Sequence, residues 1–334
     1  METKGDFIWA AFQPFGKNMW SDVPVPRWGK NDGSTPEKRK ALLDTCAADH
    51  LRFDEDVWRR VVDAYAKAGA NMIVMDVGEA LAYPSHPELW VKGSWSPDRD
   101  RDEVRRCRAL GIELIPKLNF STGHDTWLKD YHRMVSTKEY YQVCADVIRD
   151  AWEAYDHPRY IHLGYDEEDA GNQCYYGFVC VRQGELWWHD FLYISGLVEK
   201  LGARPWIWSD FIWHHEEDFL KRMPKSVLQS NWYYGSKFDV SQMTSKYSIR
   251  AVKAYEALER GGFDQVPCGS VYSSETNFPD TVRHCRKVIA PERLKGFLIA
   301  PWTGSTQAKN EQRHLHAAEV FETARKVWED GRQG

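Results

Sequence analysis

The chain has 334 residues, 43% of them hydrophobic, enough to bury a substantial core in one large domain or two ordinary ones. The formal net charge is −5 and the pI is near 6.2, with no Lys/Arg-rich block, which argues against nucleic-acid and anionic-membrane partners and favours a neutral or weakly charged small substrate. No run approaches the ~18 apolar residues of a membrane-spanning helix.

The opening METKGDF lacks the charged-then-apolar pattern of an export signal. The cysteines, Cys46, Cys107, Cys144, Cys174, Cys180, Cys268 and Cys285, are scattered without a C-x-x-C pair, so neither a disulfide framework nor a structural zinc site is expected. Together these favour a cytoplasmic protein, or a periplasmic or secreted one if a signal has been removed.

Eight β-prone runs follow in chain order: FIWAAF (7–12), NMIVMDV (71–77), IELIPKL (112–118), YIHLGY (160–165), PWIWSDF (205–211), SVLQSNW (226–232), CGSVYSS (268–274) and GFLIAPW (296–302). Stretches with helical periodicity separate them. The first, FDEDVWRRVVDAYAKAG, has an acidic first turn and stops at Gly69; PDRDRDEVRRCRALG likewise begins acidic and stops at Gly111. TKEYYQVCADVIRDAWEAY steps its apolar residues by three and four, and HLHAAEVFETARKVW would pack on the far side of the last strand. Eight βα repeats without a linker predict a single-domain (β/α)8 TIM barrel over 1–334, with a long first βα loop at about 14–50. A doubly wound open sheet is the alternative, although no glycine-rich phosphate loop follows the first strand.

The fourth run ends in consecutive acids, Asp166, Glu167, Glu168 and Asp169. At the C-terminal end of a barrel strand they would stand where barrels build active sites, with His162, Gly164 and Asp166 on one face by alternation and a bend bringing Glu167 over the same pocket. Paired carboxylates with divided roles are the equipment for cleaving glycosidic bonds. The plainer reading is a helix N-terminus that favours negative charge. Aromatic content of 14%, with 16 Trp, adds flat faces suited to sugar rings. A neighbouring run, His214 and His215 followed by three acids, is a poor metal site because adjacent residues in one loop seldom face one ion.

The pattern H-x-G-x-D-E, here His162, Gly164, Asp166 and Glu167, resembles the catalytic motif of glycoside hydrolase family 20, the β-N-acetylhexosaminidases. Upstream, ALGIELIPKLNFSTGH is similar to that family's third strand and loop, ending in Gly123 and His124. The resemblance extends thinly from about residue 55 to 305. It implies Asp76 and Glu79 facing substrate from the second-strand loop, Trp208, Trp232 and Trp302 walling the sugar pocket, and Tyr272 as the matching tyrosine in SVYSS. The activity implied is a retaining hydrolysis of a β-linked N-acetylhexosaminide-like sugar in which the substrate's acetamido oxygen attacks the anomeric carbon. Glu167 would be acid and then base, Asp166 would hold the acetamido nitrogen, and Tyr272 would donate to the acetamido oxygen. His124 would position the acids, and His162 would orient its neighbours. A carbohydrate substrate is implied, and no cofactor or metal.

The chain also departs from that pattern. Tyr165 stands where a second glycine is usual and is expected to narrow the pocket; Lys117 and Asn119 replace acids on strand three; Ser274 and Gly304 replace an aspartate and a glutamate. The sugar-binding arginine of strand one is not visible in FIWAAFQPF. Recognition is therefore expected to be rebuilt in a divergent member. Two other readings stand beside this one: a glycosidase with a protein nucleophile, for which Asp210 or Glu275 would be the second carboxylate, and a carbohydrate-binding barrel without turnover.

Overall fold

The computed structural model describes residues 7–20, 35–37, 46–173 and 177–331. Most of the proposed first loop, and Cys174, lie outside those residues. The other six cysteines are free thiols, five of them buried. No described helix is long and apolar enough to cross a membrane.

The eight strands all form, and every pairing is parallel: β1 (Ile8–Pro14), β2 (Met72–Asp76), β3 (Glu113–Lys117), β4 (Tyr160–His162), β5 (Arg204–Trp208), β6 (Leu228–Ser230), β7 (Cys268–Gly269) and β8 (Gly296–Ile299). β1 pairs with both β2 and β8, which leaves a seam between β6 and β7 as the point where closure is decided. The remaining seam is bridged at Gln229↔Gln265 and Trp232↔Cys268. The fold is a (β/α)8 TIM barrel. A helix follows each strand: α1 (Glu55–Lys67), α2 (Pro97–Ala109), α3 (Lys138–Ala154), α4 (Glu185–Lys200), α5 (Glu216–Arg222), α6 (Lys246–Arg260), α7 (Asn277–Val288) and α8 (Glu311–Asp330).

Local chemistry sets these elements. Asp54 caps α1 by accepting from the Asp56 and Val57 N–H groups at 3.0 and 3.2 Å, and Thr137 caps α3 by accepting from Tyr140 at 3.2 Å. Ser96 caps α2 with Pro97 at its first position. On α1 the buried residues Val57, Trp58, Val61, Val62 and Tyr65 form one stripe. Strand residues are buried on both faces, as a parallel barrel with an outer helix layer requires.

Side-chain contacts distinguish the two faces. Phe12, Lys117, His162, Trp208 and Trp302 come from β1, β3, β4, β5 and the segment after β8, yet contact one another, so they fill the barrel interior. Trp9 instead meets Phe321 and Trp328 of α8 outside. The fourth run pairs beyond the three residues of its strand: Phe120 N–H donates to Leu163 O at 3.0 Å and Trp208 N–H to Gly164 O at 3.0 Å. It then breaks where alternation would have continued, because the next residues turn left-handed.

Candidate active site

The turn after β4 is unusual in its backbone. Gly164, Tyr165 and Glu167 have φ of 73°, 69° and 54°. For the two side-chain-bearing residues the left-handed region costs roughly 1–2 kcal/mol each, so neighbouring groups must hold it. At Gly164 a Cβ would lie 2.0 Å from Asn119 Oδ1, so glycine is what lets β3's extension approach. Asn119 Nδ2 then donates to Asp166 Oδ1 at 2.8 Å, and Ser121 Oγ donates to the Asp166 carbonyl at 2.5 Å. From β5's side, Asp210 Oδ2 accepts the Glu167 N–H at 2.8 Å.

The residues flanking the pair face away from the pocket. Tyr165 does not narrow it: its buried ring sits edge-on to Trp187 and Phe191 of α4, with the Arg182 guanidinium 5.2 Å above it, on the helix side of the barrel. The left-handed backbone accounts for that direction. Glu168 is more than the start of the next segment: its carboxylate takes Arg182 Nη2 at 2.5 Å and Nε at 2.8 Å, and accepts the Thr122 N–H at 3.2 Å. Arg182 also donates to the Phe120 carbonyl at 2.7 Å and to Asp190 of α4 at 3.3 Å, all buried. This ionic group pins the β3 and β4 turns together from below.

Asp166 and Glu167 converge on His124, whose Nε2 lies 3.4 Å from Asp166 Oδ2 and 3.2 Å from Glu167 Oε2. Asp166 is buried, whereas the Glu167 side chain keeps 27% of its surface, so it is the carboxyl open to an incoming group. The edge of Trp20, from the first loop, packs against the His124 ring at 4.9 Å. Asp210 is the third carboxyl: burial and, next, the charge of Asp166 push it up to about 8. His162 is pushed well below its ordinary range by burial and then by Lys117, so the imidazole is neutral. Its Nδ1 accepts the Gly164 N–H at 3.1 Å, which makes it a holder of the turn.

Two aromatic groups pack around these side chains. Trp208 packs on His162 at 4.6 Å and, with Trp302, on Phe12. Trp232 stacks on Tyr234 at 5.1 Å and 22°, meets Trp213 at 4.5 Å, and donates its indole N–H to Asp210 Oδ1 at 3.2 Å. The Tyr234 phenol faces Trp302 and the Cys268 thiol, which joins the two groups.

Other expected site residues lie elsewhere or are already engaged. Asp76 is buried against Lys117 Nζ at 2.6 Å, an ion pair across the floor; burial pushes its carboxyl up and Lys117 opposes that. Glu79 is turned into the first loop, where its oxygens accept the Lys17 N–H at 2.7 Å and the Asn18 N–H at 3.1 Å. Tyr272 is 66% exposed, and among the described residues no hydrogen bond or ring contact joins its side chain to the acids. Glu275 pairs with His316 of α8 at the surface. The His214–Asp218 run disperses: His214 meets Arg250, Glu216 meets Arg260 and Asp218 meets Trp188. A cavity of about 640 Å³ opens at the other end of the barrel, beside the N-terminal ends of β3 and β4, but there Arg108 pairs with Asp156 and Arg159 with Glu113.

Asp210, Trp20 and the Arg182 group were not expected in these roles. Of these, only Asp210 carried a signal, as an acid just past a strand end. His124, Asp166 and Glu167 offer ligand atoms within 4.8 Å of one another, a donor set that also suits a divalent cation.

No family model matches the chain, and no curated protein matches it in sequence. Solved structures do share its fold. Dispersin B superposes with a TM-score of 0.57 at 13% identity, over 81% of this chain and 95% of its own. The glycoside hydrolase family 20 β-N-acetylhexosaminidase of Streptomyces coelicolor A3(2) gives 0.63 at 14%, and that of Bacteroides fragilis NCTC 9343 gives 0.61 at 13%. Each of these two covers 94% of this chain, which in turn spans 64% and 65% of their lengths.

Proposed function

We propose that the protein is a glycoside hydrolase that cleaves a terminal β-linked N-acetylhexosaminide-like sugar with retention, the substrate's own acetamido group acting as nucleophile. The observation that carries this is the meeting of Asp166 and Glu167 with His124 at the C-terminal end of β4, beside packed tryptophans. The shared fold of the family 20 hexosaminidases supports it.

In this reading the Glu167 carboxyl gives its proton to the glycosidic oxygen as the C1–O bond breaks, while the acetamido carbonyl oxygen bonds to C1. Asp166, fixed by Asn119, stands beside the positive charge that develops on the acetamido nitrogen and stabilises the transition state more than the ground state. Glu167, now a carboxylate, takes a proton from the water that reopens the ring at C1. Trp208, Trp232 and Trp302 enclose the sugar and exclude competing water. Among the described residues the buried Trp208 indole N–H and His162 Nε2 make no hydrogen bond, which leaves each with capacity for a substrate oxygen that reaches it. The Asp76–Lys117 pair on the floor is unlike a free sugar-holding carboxylate, which fits rebuilt recognition and a sugar other than plain N-acetylglucosamine.

The deciding experiment is hydrolysis of aryl glycosides of GlcNAc, GalNAc, glucose and galactose. Cleavage confined to the acetamido sugars is expected. Cleavage of the plain sugars would move the nucleophile to a protein carboxylate, and binding without turnover would make the barrel a carbohydrate-binding protein. Prolonged chelation should leave turnover unchanged; its loss, restored by a divalent metal, would assign the His124, Asp166 and Glu167 donors to an ion instead.

A further inference from the structure

Asp210 opens the turn after β5 and is 9% exposed, yet among the described residues no cation stands against it. The charges closest to it are Asp166 and Glu167, both of its own sign. A buried carboxyl in that position raises the question of what its oxygens hold. One accepts the main-chain N–H of Glu167 at 2.8 Å, and the other accepts the indole N–H of Trp232 at 3.2 Å. These donors belong to two different strands' ends, one carrying the acid and one the aromatic wall. Both oxygens face N–H groups, so Asp210 is poorly disposed to act as the nucleophile of a conventional retaining glycosidase.

The Glu167 contact is the more consequential. Glu167 is held at φ 54°, a conformation that a glutamate leaves unless its backbone groups are tied down. Its carbonyl already accepts the Asp169 N–H at 2.9 Å, and the Asp166 carbonyl before it is held by Ser121. The N–H bonded by Asp210 is the remaining tie. Losing it would let the peptide relax and swing the Glu167 carboxyl off its 3.2 Å approach to His124. Burial favours the neutral form of Asp210, which spares the site a third negative charge while a carbonyl oxygen still accepts from the backbone.

We propose that Asp210 is a positioning residue for the reaction, fixing the left-handed backbone of Glu167 and, through the same carboxyl, the angle of Trp232. The inference rests on the glycosidase reading above and adds to it a specific dependence: proton delivery by Glu167 is only as good as the Asp210 tie. A glycoside with a poor leaving group needs that proton, whereas one with a strongly acidic leaving group departs almost without it. Asp210 is thereby distinguished from a residue that merely supports the fold, whose loss would affect both substrates alike.

The experiment compares wild type, Asp210→Ala and Asp210→Asn on 2,4-dinitrophenyl and phenyl N-acetyl-β-glucosaminides. In Asp210→Ala, kcat/KM, which reports glycosidic cleavage and not the later attack of water, should fall about 100-fold on the phenyl glycoside and less than about 5-fold on the dinitrophenyl glycoside, as expected for a misplaced acid. KM should rise for both substrates as Trp232 loosens. Asp210→Asn, close in shape, keeps one acceptor and should show the same leaving-group pattern at reduced size; it carries the test if the alanine variant does not fold. Equal losses on both substrates, or no loss, would overturn the positioning role while leaving the glycosidase reading intact. A wild type that cleaves neither would overturn that reading first, and this inference with it.

Discussion

The turns after β4 and β7 occupy equivalent places on the barrel rim, and they differ in what is held at the tip. The β4 turn is tied from outside itself: by Asn119 and Ser121 from β3's side, by Asp210 from β5's side, and by Arg182 from beneath. The base of the β7 turn is tied to its neighbours as well, Ser270 Oγ donating to the Ala300 carbonyl and Asn277 Nδ2 to the Tyr233 and Gly235 carbonyls, while the tip around Tyr272 bonds locally. Ser270 N–H donates to Asn277 at 2.8 Å, Tyr272 N–H to Ser270 Oγ at 2.9 Å, and Ser274 Oγ lies 3.3 Å from Thr276 Oγ1. One turn stores backbone strain and has the bonds to hold it; the other leaves a tyrosine in solvent. Pre-organised electrostatics resides in the first kind of turn, because a dipole or charge that has to be reoriented at the moment of reaction stabilises less.

The largest effects should come from the tied turn. Glu167→Gln removes the acidic proton with little change of shape, and turnover of aryl glycosides with poor leaving groups should fall about 10³-fold or more while substrate binding persists. Asp166→Asn keeps the contact to Asn119 but loses the charge, and a loss of about 10²–10³-fold in kcat is expected. Steady-state kinetics with a binding isotherm on each variant tests both. Near-wild-type rates in either would erase the distinction between the two turns.

Next in size is the ionic group underneath. Arg182→Ala leaves Glu168 and Asp190 buried without their cation, which should cost about 3–5 kcal/mol of stability. Denaturant unfolding would register it. A change of under 1 kcal/mol would mean that Glu168 reaches solvent easily and that the turn is less rigid than its bonds suggest.

These particulars show how far the sequence could be read. The strands were legible because β-prone runs alternate with periodic helices that begin acidic and stop at Gly69 or Gly111; the caps by Asp54, Ser96 and Thr137 came only with the structure. The convergence of His124 on the acids was legible as two short patterns one βα unit apart. Arg182 was not, because its contact with Glu168, 14 residues earlier, depends on a loop folding back under the barrel. The outward direction of Tyr165 was hidden too: period-two alternation assumes an extended backbone, and φ of 69° breaks it. Glu79 looked like a substrate ligand, and only the fold brings two loop N–H groups to it.

A smaller effect follows from the charge inside the tied turn. Asp210 titrates from an ordinary 3.8 in the unfolded chain up to about 8 in the fold, facing Asp166 and Glu167 from β4's turn and Tyr247 from α6. Between those values the folded state carries the extra proton, so stability falls as pH rises through the window, by at most about 1.4 kcal/mol per pH unit. Asp210→Asn abolishes that slope. Unfolding curves at pH 5 and pH 8 should show the variant losing less stability than wild type across the interval, even as it loses activity; parallel losses would place the ionised form in the fold and remove the strain from this side.

The smallest effect belongs to the tip of the β7 turn. Tyr272→Phe removes a hydroxyl whose ring is 66% exposed and, among the described residues, joined to no acid, so kcat and KM for an acetamido glycoside should stay within about twofold. This variant sharpens the comparison, since it asks whether the β7 turn closes when sugar arrives. A tenfold loss in kcat at unchanged KM would mean that the phenol swings in and touches the transition state. The locally bonded tip would then be the moving part of the site, working against a β4 turn fixed in advance.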